Sequence, residues 1–150
     1  MDELRFLAGA TSADVEPSGA VSKTLIDHAE NPRNLTPIAD PDGVGEITGP
    51  CGDTMEVCLK VRGDRIVNAS FWTDGCGPSI ACGSMVTELC KGKDVREAGA
   101  VGQGDIVSAL GGLPEEHLHC ALLASNTLRK ALWDYFSTKS APWKRMYRTR

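Results

Sequence analysis

Apolar and polar residues alternate from Met55 to Val61, where Met55, Val57, Leu59 and Val61 interleave with Glu56, Cys58 and Lys60. A period of two predicts a strand with one buried face. Gly63-Asp64 follows as a tight turn, and Arg65 to Thr73 returns with Ile66, Val67, Ala69, Phe71 and Trp72. Gly43 to Thr48 predicts a strand before them, so the three form an antiparallel meander. Cysteine-bearing segments sit at its far ends, away from the hairpin.

The period then changes to three and four. Ser22 is a candidate N-cap for a short helix carrying Leu25, Ile26 and Ala29, which Pro32 ends, and Asn31 to Asp42 reads as an extended connection. Pro78 and Gly92 bracket a helix over 78–91 with Cys82, Met85, Val86, Leu89 and Cys90 in one stripe. A shorter helix is expected from Asp105 to Leu110. The strongest periodicity is the last, over 118–136, where Cys120, Leu123, Ala124, Thr127, Leu128, Ala131, Leu132 and Tyr135 face one way. The fold class is therefore α+β, a three-stranded antiparallel sheet with helices packed on one face. Residues 1–20 lack periodicity and read as a flexible N-terminal arm, 21–137 as one domain, and 138–150 as a basic C-terminal tail. That tail carries Lys139, Lys144, Arg145, Arg148 and Arg150 around Trp143 and Tyr147, as a solvated terminus or as an arm for an acidic protein surface.

Composition changes this picture little. A net charge of -4 gives no reason to expect nucleic acid as a partner. No apolar run is long enough to span a bilayer, and the acidic Met1-Asp2-Glu3 start does not resemble a secretory signal, so a reducing cytoplasm is expected. In that compartment the six cysteines are thiols or metal thiolates rather than disulfides.

Three of them mark the candidate chemistry. Gly49-Pro50-Cys51-Gly52-Asp53 joins two strands, Gly75-Cys76-Gly77-Pro78 leads a strand into a helix, and His117-Leu118-His119-Cys120 opens the last helix. Brought to one edge, they offer sulfur, nitrogen and oxygen to a soft metal or an iron-sulfur cluster. A helix start favours thiolate, which applies to Cys120 and weakly to Cys76. Asp53 is either a harder ligand that makes the site labile or a turn residue accepting a backbone hydrogen bond. His119 could supply imidazole, but adjacent helical residues diverge by ~100°, so it and Cys120 share a metal only if the first turn loosens. Cys58 and Cys90 read as structural thiols, and Cys82 as core packing with a reserve role as sulfur acceptor. His28 and His117 read as surface or packing residues.

Taken together, Asp27-His28-Ala29-Glu30-Asn31-Pro32-Arg33-Asn34, Pro50-Cys51-Gly52-Asp53, Gly75-Cys76-Gly77 with Ile80-Ala81, and His119-Cys120 resemble the iron-sulfur cluster assembly scaffolds of the IscU and NifU N-terminal family. The resemblance covers about residues 21–136, in family order, and implies an IscU/SufE-like fold. It implies that Cys51, Asp53, Cys76 and Cys120 are the cluster ligands, with His119 an alternative ligand or proton-managing neighbour. A cysteine desulfurase would pass sulfur to Cys120 as persulfide acceptor. A [2Fe-2S] or [4Fe-4S] cluster would form and move to apo-proteins, zinc could occupy the site as isolated, and a homodimer could share an exposed cluster. Such a protein is an assembly scaffold rather than an enzyme.

The chain also departs from the family pattern. Leu113-Pro114-Glu115-Glu116-His117 stands where members served by a dedicated Hsp70 chaperone carry Leu-Pro-Pro-Val-Lys, which puts that partner in doubt. Cys82 replaces a common serine, and Asp74 a common aromatic. The related SufU branch, a zinc-dependent sulfurtransferase partner of a desulfurase, resembles the chain in its Cys, Asp, Cys, Cys set. It differs by an insertion and by lacking the histidine, whereas here 43 residues separate Cys76 from Cys120 and His119 is present. The scaffold reading leads, the sulfurtransferase is the alternative, and a structural zinc module is the third.

Overall fold

The structure is a computed structural model that describes residues 22–143. The expected arm over 1–20 and residues 144–150 of the expected tail lie outside the described residues.

Helix α1 (Lys23–Glu30) starts where the cap predicts: the Ser22 hydroxyl accepts from the Leu25 N–H at 2.9 Å and donates to the Leu110 carbonyl. Strands β1 (Gly43–Thr48), β2 (Thr54–Arg62) and β3 (Arg65–Thr73) form the antiparallel sheet in the order β1-β2-β3. Its registers run from Gly43↔Leu59 to Thr48↔Thr54 and from Met55↔Thr73 to Arg62↔Arg65. Gly63 and Asp64 both take positive φ, +60° and +61°, which is the two-residue turn whose twist matches an antiparallel pair. Between Lys60↔Asn68 and Val61↔Ile66 the register shifts, leaving Val67 as an extra residue in β3. This bulge turns Val67 outward, 47% exposed, and restores Ala69 and Phe71 to the buried face.

Helix α2 (Gly77–Cys90) is buried on more than the stripe expected of it, with Ser79, Ser84 and Thr87 inside as well as Cys82, Met85, Val86 and Cys90. It lies in the middle of the molecule, between β3, α1 and the last helix. Its polar groups are met locally: Thr87 donates to the Gly83 carbonyl at 2.9 Å, and the Ser84 hydroxyl contacts His28 Nδ1 at 2.7 Å. A side chain at Gly83 would stand 2.4 Å from the Phe71 ring, so the glycine sets how closely helix and sheet approach. Two short helices follow, α3 (Val95–Ala98) and α4 (Gln103–Ala109). The first was not expected; it is a single turn held by a capping box on Asp94, too short to show a period.

Helix α5 (Leu118–Ser140) is preceded by a 3-10 turn, Glu115–His117, and runs four residues past its expected end. Thr138 is buried there and donates to the Asp134 carbonyl, and Lys139 is paired with Asp64, so residues 138–140 belong to the helix rather than to a tail. α5 lies directly on β1. A Cβ at Gly43 would fall 2.5 Å from the Ala131 carbonyl oxygen, and one at Gly45 would fall 2.4 Å from the Ala131 nitrogen. The helix also covers the sheet edge, because Asp134 accepts from the Val44 N–H at 2.9 Å and Lys130 donates to the Glu46 carbonyl at 3.1 Å. The core between sheet and helices holds Met55, Val57, Leu59, Ile66, Val86, Ile106, Leu110 and Leu128. Burying each of the larger ones contributes about 2 kcal/mol.

Candidate metal-thiolate site

The five-residue link between β1 and β2 is a compact turn. Gly49 donates to the Asp53 carbonyl at 2.7 Å, and Gly52 donates to that of Gly49 at 3.0 Å with a φ of +93°, which a side chain would strain. The turn is tied to the end of β3. Asp74 accepts from the Thr54 N–H at 2.8 Å, and Thr73 donates to the Thr54 carbonyl at 2.7 Å. Asp74 is thus a strut that fixes the Cys51 turn against the Cys76 turn. Gly75 is obligatory between them, since a Cβ there would lie 2.7 Å from Ser79 and 2.8 Å from the Asp53 carboxylate.

Cys76 is the N-cap of α2 and is exposed, as is Cys51. Cys120 lies in the first turn of α5, in phase with its buried stripe, and is 1% exposed. Around Cys120 the side chains form a connected group. The buried Ser79 hydroxyl lies 3.3 Å from Cys120 Sγ, 3.2 Å from Asp53 Oδ2 and 4.0 Å from Cys76 Sγ. His119 Nε2 lies 3.4 Å from Cys51 Sγ and 3.7 Å from Cys120 Sγ. The structure therefore brings Cys51, Asp53, Cys76, Cys120 and His119 to one end of the sheet.

The first turn of α5 is regular, and the His119 ring nitrogen lies near both Cys51 and Cys120. His117 is not a bystander: its ring nitrogen and the sulfurs of Cys76 and Cys120 all lie within 4.8 Å of one another. Its spacing of three from Cys120 at a helix start was the signal for this shared face. Ser79 was also overlooked; its position three residues beyond Cys76, in the first helical turn, was the corresponding clue.

Electrostatics change one more expectation. Burial pushes the Cys120 thiol up, the Ser79 hydroxyl opposes the shift, and Cys76, Cys51 and Asp53 add to it. Desolvation is the largest of these causes. Cys82 is raised further, first by complete burial and then by Cys120 and Cys76, which leaves it a neutral packing thiol beside the site. Burial raises Cys90 to about 12, while Cys58 is buried on the opposite face of the sheet, beside Leu35 and Pro37. Sulfurs that each penalise a neighbour's ionisation, with imidazoles among them, suit a soft cation whose charge removes that penalty.

A sequence profile described as the NifU-like N terminal domain matches residues 20–141. The iron-sulfur cluster assembly scaffold protein IscU 1 of Archaeoglobus fulgidus is 46% identical over 116 residues, spanning 77% of this chain and 76% of that protein. The scaffold protein IscU of Escherichia coli strain K12 is 42% identical over 127 residues, 81% of this chain and 98% of that protein. Among solved structures, the N-terminal part of a nitrogen-fixing NifU-like protein from Brucella abortus superposes with a TM-score of 0.60 at 18% identity, covering 77% of this chain and 94% of that one. A structure described as that of a putative iron-sulfur cluster assembly scaffold protein for the SUF system, from Fervidobacterium islandicum AW-1, also gives 0.60, at 24% identity over 74% of this chain and 95% of that one. These two likenesses concern the fold.

Proposed function

The chain belongs to the NifU-like N-terminal family, and from that premise we propose that it is a scaffold on which an iron-sulfur cluster is assembled and then handed to apo-proteins. The observation that carries the reading is the gathering of Cys51, Asp53, Cys76, Cys120 and His119 at one end of the sheet, with two of the sulfurs open to solvent. The cluster is cargo here, so an exposed rim is an advantage: a recipient's thiolates can reach it.

Cys51, Asp53, Cys76 and Cys120 are the proposed ligands of a [2Fe-2S] cluster. Asp53 supplies the hard oxygen that weakens the site, and Ser79 keeps its carboxylate turned toward Cys120. Cys120 is the proposed sulfur acceptor. Its burial holds it as the thiol, so a base is required, and His119 Nε2, 3.7 Å away, takes the proton. The resulting thiolate attacks the sulfane sulfur of a cysteine desulfurase persulfide, the S–S bond breaks, and the desulfurase cysteine leaves as thiolate. An external reductant converts the sulfane sulfur to sulfide as iron is bound. The partners are a cysteine desulfurase and apo iron-sulfur proteins. Free thiols at all six cysteines suit a reducing cytoplasm, and no helix among the described residues is long and apolar enough to cross a membrane.

The test is mass spectrometry of the chain after incubation with a desulfurase and cysteine, followed by addition of ferrous iron and an apo-ferredoxin. The proposal expects a persulfide on Cys120 and cluster arriving in the ferredoxin. Persulfide on the chain with zinc bound and no cluster in either protein would replace it with the sulfurtransferase reading.

A further inference from the structure

Trp133 and Phe136 stand on the C-terminal half of α5 at 75% and 39% exposure, and Trp133 is the most exposed large apolar residue described. They form one bank of a groove of about 530 Å³, with the buried Leu132 and Val95 beneath them and α3 as the other bank. The charged groups lining it are both cationic, Arg96 and Arg129. Arg129 donates to the Gly99 and Val101 carbonyls at 3.3 and 3.4 Å. Arg96 acts on Asp64 only at longer range, since that carboxylate is held by Lys139 and Tyr135. Neither arginine has an ion pair among the described residues. An apolar groove rimmed by two guanidinium groups fits an occupant that brings apolar side chains and carboxylates together. We propose that the occupant is this chain's own N-terminal segment, Asp2-Glu3-Leu4-Arg5-Phe6-Leu7, with Leu4, Phe6 and Leu7 against Trp133 and Phe136 and its two acids toward the arginines.

Charge selects this segment over the other one outside the described residues. Residues 1–21 carry Asp2, Glu3, Asp14 and Glu16 against Arg5 alone, whereas residues 144–150 carry Lys144, Arg145, Arg148 and Arg150 and no acidic side chain. The same logic disfavours a second copy. Pairing the groove with itself about a two-fold axis gathers the Arg96 and Arg129 side chains of both copies in one interface with no lining carboxylate.

The chain also starts in the right place. Ser22, the first described residue, donates to the carbonyl of Leu110 at the C-terminal end of α4. The groove begins at the other end of α4, where Gly102 is the N-cap and Arg129 binds the Val101 carbonyl. A helix of that length covers only about 10 Å, while residues 8–21 can reach up to about 45 Å. A short tether holds its segment at a millimolar effective concentration, so a contact too weak to retain a free peptide is occupied within one chain. The segment then covers Trp133 until a competing acidic, apolar ligand displaces it. This cover lies on the helix that carries Cys120, about 20 Å along its axis from that cysteine, and it is independent of the metal-thiolate chemistry.

The experiment follows Trp133 alone, by acrylamide quenching of its fluorescence in the full chain carrying Trp72→Phe and Trp143→Phe. The comparison chains lack residues 2–8 or carry Phe6→Asp, each checked for the parent's circular dichroism. At millimolar effective concentration a contact of about 1 mM affinity is half occupied, so either change should raise quenching by about twofold or more. A synthetic peptide of residues 1–12 should lower it again in the truncated chain. Arg96→Glu in the full chain should raise quenching as truncation does, and adding Asp2→Lys and Glu3→Lys to it should restore protection. In the parent, protection should survive dilution. Equal quenching with and without residues 2–8 overturns the proposal and leaves the groove to an external partner. Protection that disappears on dilution, with a dimer in sedimentation velocity, overturns it in favour of exchange between two copies. If the truncated chain misfolds, Phe6→Asp decides.

Discussion

The two turns of the sheet each contain an aspartate, and the two are used in opposite ways. At the hairpin between β2 and β3, Asp64 accepts from the Tyr135 hydroxyl at 2.6 Å and from the Lys139 ammonium at 2.7 Å, and these partners hold its carboxyl below the ordinary carboxylate range. That end ties the last turns of α5 to the sheet. At the turn between β1 and β2, Asp53 meets the Ser79 hydroxyl at 3.2 Å and no ammonium is placed against it among the described contacts. There the first turn of α5 delivers Cys120, His119 and His117 instead of a lysine. One helix thus closes the molecule at one end and leaves donors facing each other at the other. The difference separates a turn whose charge is matched by an ammonium within the protein from one whose aspartate meets a hydroxyl beside a group of thiols and imidazoles.

The largest effect should come from the donors themselves. Cys120→Ala is expected to bring cluster formation to background in an iron and sulfide analysis while the far-ultraviolet circular dichroism stays that of the parent. A variant that still holds a full cluster would show that Cys51 and Cys76 suffice. Next is the seam that both ends share. Gly45→Ala places a carbon 2.4 Å from the Ala131 nitrogen, and forcing α5 away from β1 should destabilise the fold by about 2 to 3 kcal/mol in urea unfolding. An undiminished midpoint would mean that helix and strand can part without penalty, and that the two ends are not coupled through α5.

Acid tests the seam between α1 and α2 in the same way. Burial lowers the His28 pKa from 6.5 to about 4, with Arg33 adding to the shift. Between those values the unfolded chain binds a proton that the native chain refuses, so stability is full above pH 6.5 and falls as pH drops toward 4. The loss should approach about 3 kcal/mol by pH 4, and His28→Gln should flatten it. A parent whose stability is level across that range would contradict the buried neutral imidazole.

Asp53→Ala should slow release of the cluster to an apo-acceptor severalfold, as the harder ligand is lost. Asp64→Asn should leave release unchanged and lower the melting temperature only slightly, because its ion pair with Lys139 is solvent-exposed. If the two substitutions act alike on release, the contrast between the turns is wrong.

Much of this was legible in the sequence because it depends on local signals. The alternation through β2, the Gly63-Asp64 turn, the Ser22 cap and the Pro78 start each place an element without reference to anything distant. The order of the cysteine turns indicated which residues meet, once the meander was recognised. What escaped depends on the third dimension. Gly43 and Gly45 look like ordinary strand residues until α5 lies on them, and Ser79 and His117 acquire their roles only when two helix starts face each other. The bulge at Val67 could not be read from apolar positions, since Val67 suits either face of a strand. The raised Cys120 thiol was misjudged because a helix start is visible in sequence and the depth of burial is not.

Under the proposed function, the Cys51, Cys76 and Cys120 end assembles a cluster as cargo. Iron, sulfide and zinc analysis of the anaerobically isolated chain, before and after reconstitution with a desulfurase, cysteine, ferrous iron and a reductant, tests it most directly. Iron and sulfide should rise together in equal amounts, and both should leave when an apo-acceptor is added. Zinc that stays in place, with no sulfide taken up, would contradict it.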